Sequence, residues 1–234
     1  HIKTFCRKYM KIYINREHVS GPWGGGVKPL GRLIEVLNEK GHETFFGNIT
    51  QNDYDVCFCW DPRPNNLGIW YGTLQHYCNL FGSKLIQRVG DVGTHGKPDL
   101  TSLVAETVKF SNKVIFTSNW AQNYIVSRND DKNYNLDNFH VIENSPLEIF
   151  FKHRNKNTNI NSKPKVVTHH WSNNQKKGFD LYRALDESIH TGKLDIDFTY
   201  IGRVPADFSF KASKIVEPQD QESLCRILPQ HDIY

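Results

Sequence analysis

Short apolar runs alternate along the chain with longer stretches whose apolar residues recur at the spacing of one helix face. Residues 11–14 predict a first strand, and Leu30, Leu33 and Leu37 predict a helix over 30–40 that Gly41 ends. Further strands are predicted at 43–46, 54–60, 84–89, 113–117, 139–142, 165–168, 197–201 and 214–216, with another opening at 232–234. Further helices are predicted at 65–81, 100–110, 120–126, 179–189 and 221–228. This alternation predicts βαβ units and mostly parallel sheets covered on both faces.

Two of the predicted helices carry capping signals at their amino ends. Asp99, just after Pro98, is the predicted N-cap of the helix over 100–110. Ser118 is the predicted N-cap of the helix over 120–126. Both residues have a side-chain oxygen that can accept a hydrogen bond from a free backbone N–H of the first turn.

A polar interval divides the pattern into two halves. Residues 152–163 are rich in Asn and Lys and contain Ile160 as their one apolar residue, which is typical of a linker. We therefore expect an amino-terminal domain over 1–151 and a second domain over 164–234. The last predicted strand would expose apolar surface without the rest of its βα unit, so the second domain is expected to continue beyond Tyr234.

Composition places the chain among ordinary globular proteins. Its 234 residues are 38% hydrophobic and 23% charged, and their number suits one and a half to two domains of roughly 150 residues. The formal net charge of +4 favours anionic ligands such as diphosphates, but the clustered basic face that nucleic acids require is absent. No apolar run approaches the roughly 18 residues needed to span a membrane, and residues 1–9 lack the apolar centre of a signal peptide.

Cysteine usage indicates a reducing compartment. The five cysteines are odd in number and form no Cys-x-x-Cys motif, which disfavours a disulfide framework. Cys57 and Cys59 are two apart in an apolar run, so they are predicted to share one strand face as small core residues. We expect a cytoplasmic protein, with peripheral membrane association left open.

Two glycine-containing turns are candidate anion sites. Residues 20–26 (SGPWGGG) lie between the first strand and the first helix, where successive glycines let backbone N–H groups and the helix dipole face a phosphate. Residues 173–178 (NNQKKG) hold the same position in the second half. Lys176 and Lys177 oppose the dipole there unless an anion lies between, although two solvated surface lysines would look the same.

No metal site is predicted. Asp195 and Asp197 have the Asp-x-Asp spacing of a metal-binding motif, but they lie at the start of a strand in the second half. His169 and His170 are adjacent, so on a strand they face opposite sides and cannot readily share an ion.

Taken together, several motifs resemble those of retaining glycosyltransferases of family 4. The amino-terminal ones are Gly24-Gly25-Gly26, Gly41-His42-Glu43 and the passages 114–120 (VIFTSNW) and 141–150 (VIENSPLEIF). Those of the second half are Lys177-Gly178 and residues 198–202 (FTYIG). The resemblance runs in the family's order from Met10 to Tyr234. It implies a GT-B fold, with two Rossmann-like doubly wound domains facing a cleft and the second one incomplete here.

The resemblance also implies an activity and a set of site residues. The expected reaction moves a sugar from a nucleotide-diphosphate sugar to a glycan, lipid-linked or protein acceptor with retention of configuration, without cofactor or metal, as in polysaccharide biosynthesis. Donor diphosphate binding is expected at Gly24, Gly25, Gly26, Ser172, Lys176, Lys177 and Arg203. Nucleotide binding is expected at Gly202, Val216, Glu217 and Pro218.

The chain departs from the family pattern at one contact to the donor. Residues 168–172 (THHWS) stand where the family usually has Gly-Arg, so the usual arginine contact to the diphosphate is in doubt. His170 or Ser172 could replace it, or Arg203 could reach in from the neighbouring strand end. The family's paired-glutamate motif would lie beyond Tyr234.

Catalytic candidates lie in the loop after the strand over 84–89. His95 corresponds to the histidine that the family places near the donor sugar, and Asp91 is the alternative. A histidine making one ordinary loop hydrogen bond would have the same sequence context. Two other functions stay open: a sugar-nucleotide epimerase or phosphorylase of the same architecture, and a non-catalytic binding fragment.

Overall fold

The computed structural model describes residues 9–19, 26–65, 69–94, 96–128, 133–152 and 163–234. Within these ranges, the chain divides into two compact units. Unit 1 comprises the described residues up to 144, and unit 2 comprises 145–152 and 163–234. Most of the predicted linker lies outside the described residues, and the predicted domain boundaries at 151 and 164 stay predictions.

Unit 1 is built on a six-stranded parallel sheet in the order β2-β1-β3-β4-β5-β6. Its strands are β1 (Lys11–Ile14), β2 (Glu43–Phe45), β3 (Val56–Cys59), β4 (Lys84–Val89), β5 (Lys113–Phe116) and β6 (Phe139–Val141). Its helices are α1 (Val27–Glu39), α2 (Tyr71–Phe81), α3 (Pro98–Thr107) and α4 (Asn119–Val126). Because β2 and β3 flank β1 on opposite sides, the strand order reverses between β1 and β3.

Helices cover both faces of this sheet. Leu30 of α1 packs with Ile14 and Phe58 on one face. Helices α2, α3 and α4 pack on the other, where Cys57 and Cys59 are fully buried. The predicted role of these two cysteines as small core residues is thereby confirmed. Strands that are buried on both faces need apolar residues on both, which explains the continuous apolar runs seen in the sequence.

Unit 2 contains a three-stranded parallel sheet in the order β7-β8-β9. The strands are β7 (Lys165–His170), β8 (Asp197–Gly202) and β9 (Lys214–Val216), and the helices are α5 (Glu148–Lys152), α6 (Phe179–His190) and α7 (Gln221–Ile227). Helix α6 packs an aromatic cluster on one face, whereas α5 and α7 pack on the other. Ile233 forms a parallel bridge with Val166, so the predicted strand opening at 232–234 does pair with β7.

One buried carboxylate fixes the connection between β8 and β9. Asp186 of α6 is 3% exposed, and it accepts hydrogen bonds from the backbone N–H groups of Lys211 (2.6 Å), Ala212 (3.1 Å) and Ser213 (2.7 Å). Burial alone raises the pKa of Asp186, but these donors outweigh it and hold the pKa below its ordinary value.

One of the two predicted helix caps is wrong and the other is confirmed. Helix α3 begins at Pro98 with Lys97 in the N-cap position, so the predicted cap at Asp99 is wrong. Proline is favoured as the first helical residue because it has no N–H to satisfy, and Asp99 then lies in the first turn. The Ser118 cap is confirmed, because its Oγ accepts a 3.1 Å hydrogen bond from the Ala121 N–H. No helix within the described ranges is long and apolar enough to cross a bilayer.

Candidate functional site

The carboxyl ends of the three strands of unit 2 form one edge that carries most of the predicted site. Register places His170 opposite Gly202, and Ile201 opposite Val216. Parallel strands bring the loops that follow them to the same edge, which is where open α/β sheets bind ligands. The edge includes all the predicted site residues of unit 2: Ser172, Lys176, Lys177, Gly202, Arg203, Val216, Glu217 and Pro218.

The loop after β7 is held by a chain of side-chain to backbone hydrogen bonds. The Ser172 N–H donates to His170 Nδ1 (3.0 Å), and the Asn174 N–H donates to Ser172 Oγ (3.2 Å). Asn174 Oδ1 then accepts from the Lys176 N–H (3.0 Å), which opens a 3-10 turn over Gln175–Lys177. His, Ser and Asn side chains suit this role because they mimic backbone turns. His170 and Ser172 are therefore engaged in shaping the loop.

Two cations of this loop take no part in holding it. Lys176 is exposed, Lys177 is half-buried, and both stand directly before α6. Within the described ranges, neither ammonium group forms an ion pair with a carboxylate. Their charges thus remain available for an anionic ligand at the amino end of α6.

The end of β8 is locked against the end of β7. A Cβ at residue 202 would overlap the carbonyl oxygen of His170, and Gly202 has φ of 149°, so only glycine suits this position. The Tyr200 hydroxyl lies 3.2 Å from the carbonyl oxygen of His170 and 3.0 Å from that of Arg203. Arg203 itself is exposed and has no carboxylate partner in the described part of the chain.

Two pairs of residues that resemble metal ligands have other partners. Lys163 Nζ lies 2.9 Å from Asp197 and 3.5 Å from Asp195. His169 Nδ1 lies 2.9 Å from the Tyr234 hydroxyl, while His170 serves the loop after β7. Within the described ranges, no three His, Cys, Asp or Glu side chains are grouped to hold a metal.

The glycine-rich turn that precedes α1 is described only at its last residue. Gly26 has no other residue near the position of a Cβ, and its carbonyl accepts a 2.9 Å hydrogen bond from Trp60 Nε1. Gly24 and Gly25 lie outside the described residues. The first turn of α1 has no acidic residue, so its free N–H groups and dipole face no carboxylate of their own turn.

Asp91 is committed to the loop that follows β4. Its Oδ2 accepts a 2.8 Å hydrogen bond from Lys97 Nζ, and its Oδ1 accepts a 2.9 Å bond from the Gly93 N–H. Burial raises the pKa of Asp91, but these bonds and the nearby Lys97 and Arg63 cations more than offset it and lower the pKa. Asp91 thus shapes the loop that carries His95, which lies outside the described residues.

A polar cluster at the ends of β1 and β3 is absent from the sequence predictions. Asn15 is 2% exposed and donates to the backbone carbonyl of Asp61 (2.7 Å). Asp61 pairs with Arg63 at 2.6 Å and with Arg16 at 3.5 Å. Burial raises the pKa of Asp61, but hydrogen bonds from Arg63 and the charge of Arg16 lower it overall. Polar residues immediately after predicted strands were the signal that could have found this cluster.

The sequence predictions also overlook a stacked pair in unit 1. The Arg88 guanidinium lies 4.2 Å from the ring centre of Trp60. Arg88 is the next-to-last residue of β4, where a charged residue interrupts an otherwise mostly apolar strand. That interruption is the signal that could have marked it.

Two solved structures resemble this chain over most of its length. HepE from Anabaena, solved in complex with UDP and glucose, matches with a TM-score of 0.56 and 12% identity, over 94% of this chain and 71% of HepE. MnaA from S. aureus, solved with UDP, matches with a TM-score of 0.51 and 12% identity, over 93% of this chain and 71% of MnaA. These likenesses confirm the predicted fold class, an α/β protein of GT-B type.

Comparisons of sequence add no family assignment. No protein-family model matches the chain, and a search of curated proteins finds no significant match. The fold is therefore the level at which this chain is related to known proteins.

Proposed function

We propose that this chain binds a nucleotide-diphosphate sugar and belongs to a glycosyltransferase that moves the sugar to an acceptor with retention of configuration. One observation carries the proposal: two lysines without carboxylate partners in the described residues stand before α6, at the carboxyl edge of a GT-B type unit. The fold match to HepE, solved with UDP and glucose, and to MnaA, solved with UDP, supports a uridine nucleotide as the first ligand to test.

The proposed chemistry requires that the leaving diphosphate be neutralised. Lys177 and Lys176 would pair with its oxygens, and the N–H groups at the start of α6 would add partial positive charge. Arg203, at the end of β8, could also contribute. It would replace the arginine that the sequence lacks after β7. In the turn before α1, Gly24, Gly25 and Gly26 would pass close to the diphosphate and the sugar.

The base and ribose are proposed to lie along the ends of β8 and β9. Gly202 is proposed to contact the nucleotide through its backbone, and Val216 and Pro218 offer half-buried apolar surface. Glu217 is exposed directly after β9, so its carboxylate can accept hydrogen bonds from sugar hydroxyls.

His95 is the proposed catalytic residue of unit 1, and Asp91 holds its loop in place.

The acceptor is proposed to be a glycan, a lipid-linked saccharide or a protein, bound by the loops of unit 1. No cofactor or metal is part of the proposal. A cytoplasmic location, with peripheral membrane contact allowed, remains part of it.

Calorimetric titration with UDP, GDP and ADP and their sugar derivatives, with and without EDTA, tests the proposal. We expect one nucleotide to bind preferentially and EDTA to leave its affinity unchanged. NMR of the products from an anomerically defined donor then identifies the reaction. Retained configuration in a glycosylated product supports the transferase, whereas release of a 2-epimer or a sugar phosphate supports the epimerase or phosphorylase. Absence of any nucleotide preference would leave only a binding fragment.

A further inference from the structure

The strand order of unit 1 reverses between β1 and β3, which is where open α/β sheets form their ligand crevice. Trp60 directly follows β3, and Gly26 directly precedes the helix that follows β1. The hydrogen bond from Trp60 Nε1 to the Gly26 carbonyl therefore spans the reversal. It fixes the indole beside the amino end of α1.

Arg88 is placed against this indole from the next strand, β4. Its guanidinium stacks on Trp60 at 4.2 Å, and one of its nitrogens, Nη2, donates to Asn144 Oδ1 at 3.3 Å. A Cβ at residue 90 would overlap Arg88 Nη1, so glycine at this position keeps room for the guanidinium. Trp60 and Asn144 thus hold the side chain in place, and Gly90 leaves space for it.

The charge of Arg88 is not compensated within the described ranges. The carboxylates that follow β3 and β4 are already taken, Asp61 by two arginines and Asp91 by Lys97. Arginine has five N–H donors, and the contacts of Arg88 to described residues use one of them. Burial, with no opposing carboxylate, lowers the pKa of Arg88. A half-buried cation of this kind is costly unless a ligand supplies the missing acceptors.

We propose that Arg88, presented on Trp60 beside the amino end of α1, binds an anionic group of the ligand, either a phosphate or a carboxylate. A planar guanidinium recognises both groups with two parallel hydrogen bonds, and the dipole of α1 adds to the attraction. This anionic group can belong either to the diphosphate of a donor or to a charged substituent of an acceptor. The site is a property of unit 1 and stands whether or not the proposed transferase reaction occurs.

Binding of small anions to the chain tests this site. The probes are pyrophosphate and UDP for the donor source, glucose 6-phosphate and glucuronate for the acceptor source, and glucose as the neutral reference. In Arg88→Gln we expect affinity for the relevant anions to fall at least tenfold. Arg32→Gln is the matched control, because Arg32 lies on the exposed face of α1 and pairs with Glu35 and Glu39. If the variant loses affinity for UDP and pyrophosphate, the anionic group belongs to the donor. If it loses affinity only for glucose 6-phosphate and glucuronate, the group belongs to the acceptor.

A second measurement uses the unmodified protein and so does not depend on how the variant folds. Phenylglyoxal modifies accessible arginines, and mass spectrometry of peptides measures each site. We expect a bound anion to protect Arg88 and not Arg32. The inference is overturned if no anionic probe binds, if folded Arg88→Gln binds all of them like the wild type, or if Arg88 is modified equally with and without anion. Nucleotide preference is a separate readout, so loss of the proposed function would not by itself remove this site.

Discussion

The carboxylate of Asp186 accepts a 2.6 Å hydrogen bond from the backbone N–H of Lys211, and the next two N–H groups point to the same carboxylate. Asp186→Ala would leave these donors without a partner in a buried position. We expect the free energy of unfolding to fall by about 2–3 kcal/mol or more. Urea unfolding monitored by fluorescence measures it, with Asp207→Ala as the exposed control of the same unit.

Stability should also depend on pH through Asp186. The pKa of this carboxyl is lowered in the folded protein, whereas an unfolded aspartate titrates at about 3.9. Its contribution is therefore fully present above the unfolded pKa and is lost as pH falls through the folded pKa. The stability difference between wild type and Asp186→Asn should be constant from pH 7 to about 5 and shrink below about pH 4. A difference that grows on acidification would contradict this assignment.

Lys177→Ala should weaken nucleotide-diphosphate binding without disturbing the fold. The ammonium group has no ion-pair partner in the described residues, so its removal leaves no buried charge. A charged hydrogen bond of roughly 1.5–3 kcal/mol corresponds to about a tenfold to hundredfold loss in affinity or turnover. Calorimetry checks the affinity, with Lys214→Ala at the opposite end of the same sheet as control. Equal affinities in the two variants would remove Lys177 from the site.

Gly202→Ala adds only one methyl group, but it should destabilise unit 2. The added methyl group would overlap the backbone of His170, which cannot move without separating β7 from β8. We expect a loss of about 2 kcal/mol or more, typical of strain at a position that requires glycine. Thermal unfolding measures it, and Gly26→Ala is the control, because residue 26 has negative φ and open space around its Cβ position.

His95→Ala tests the proposed catalytic residue in unit 1. If His95 acts on the sugar as an acid or a base, turnover should fall at least a hundredfold, and the pH dependence of turnover should change. Asp91→Asn is expected to reduce turnover less and to keep the wild-type pH dependence, because Asp91 acts by holding the loop through Gly93 and Lys97. Full activity in His95→Ala would end its assignment.

Much of the fold could be predicted because the apolar pattern matches burial. Strands β1, β4 and β9 were predicted to the residue, since each starts at a lysine and its carboxyl end coincides with the change from apolar to polar sequence. Polar strand ends were missed instead. Strand β7 extends through His170 because it pairs with Gly202 of β8, and a pairing between strands is invisible to local periodicity.

Some residues of the candidate site could likewise be predicted from local sequence, and others could not. Lys176 and Lys177 could be proposed from the sequence because cations before a helix are locally unfavourable. The contact of Asn15 with Asp61 joins residues 46 positions apart and depends on the order of the strands. The stacking of Arg88 on Trp60 depends equally on β3 and β4 being neighbours. Such contacts follow from the order of the strands, and no local sequence motif predicts them.

The loop after β7 keeps its shape through His170, Ser172 and Asn174, whereas its two ammonium groups hold nothing in place. Architecture and charge are consequently carried by different residues. The number of positive charges at this edge can change by substitution at positions 176 and 177 with little penalty to folding. The anion preference proposed for this edge can therefore diverge between related proteins while the loop itself persists.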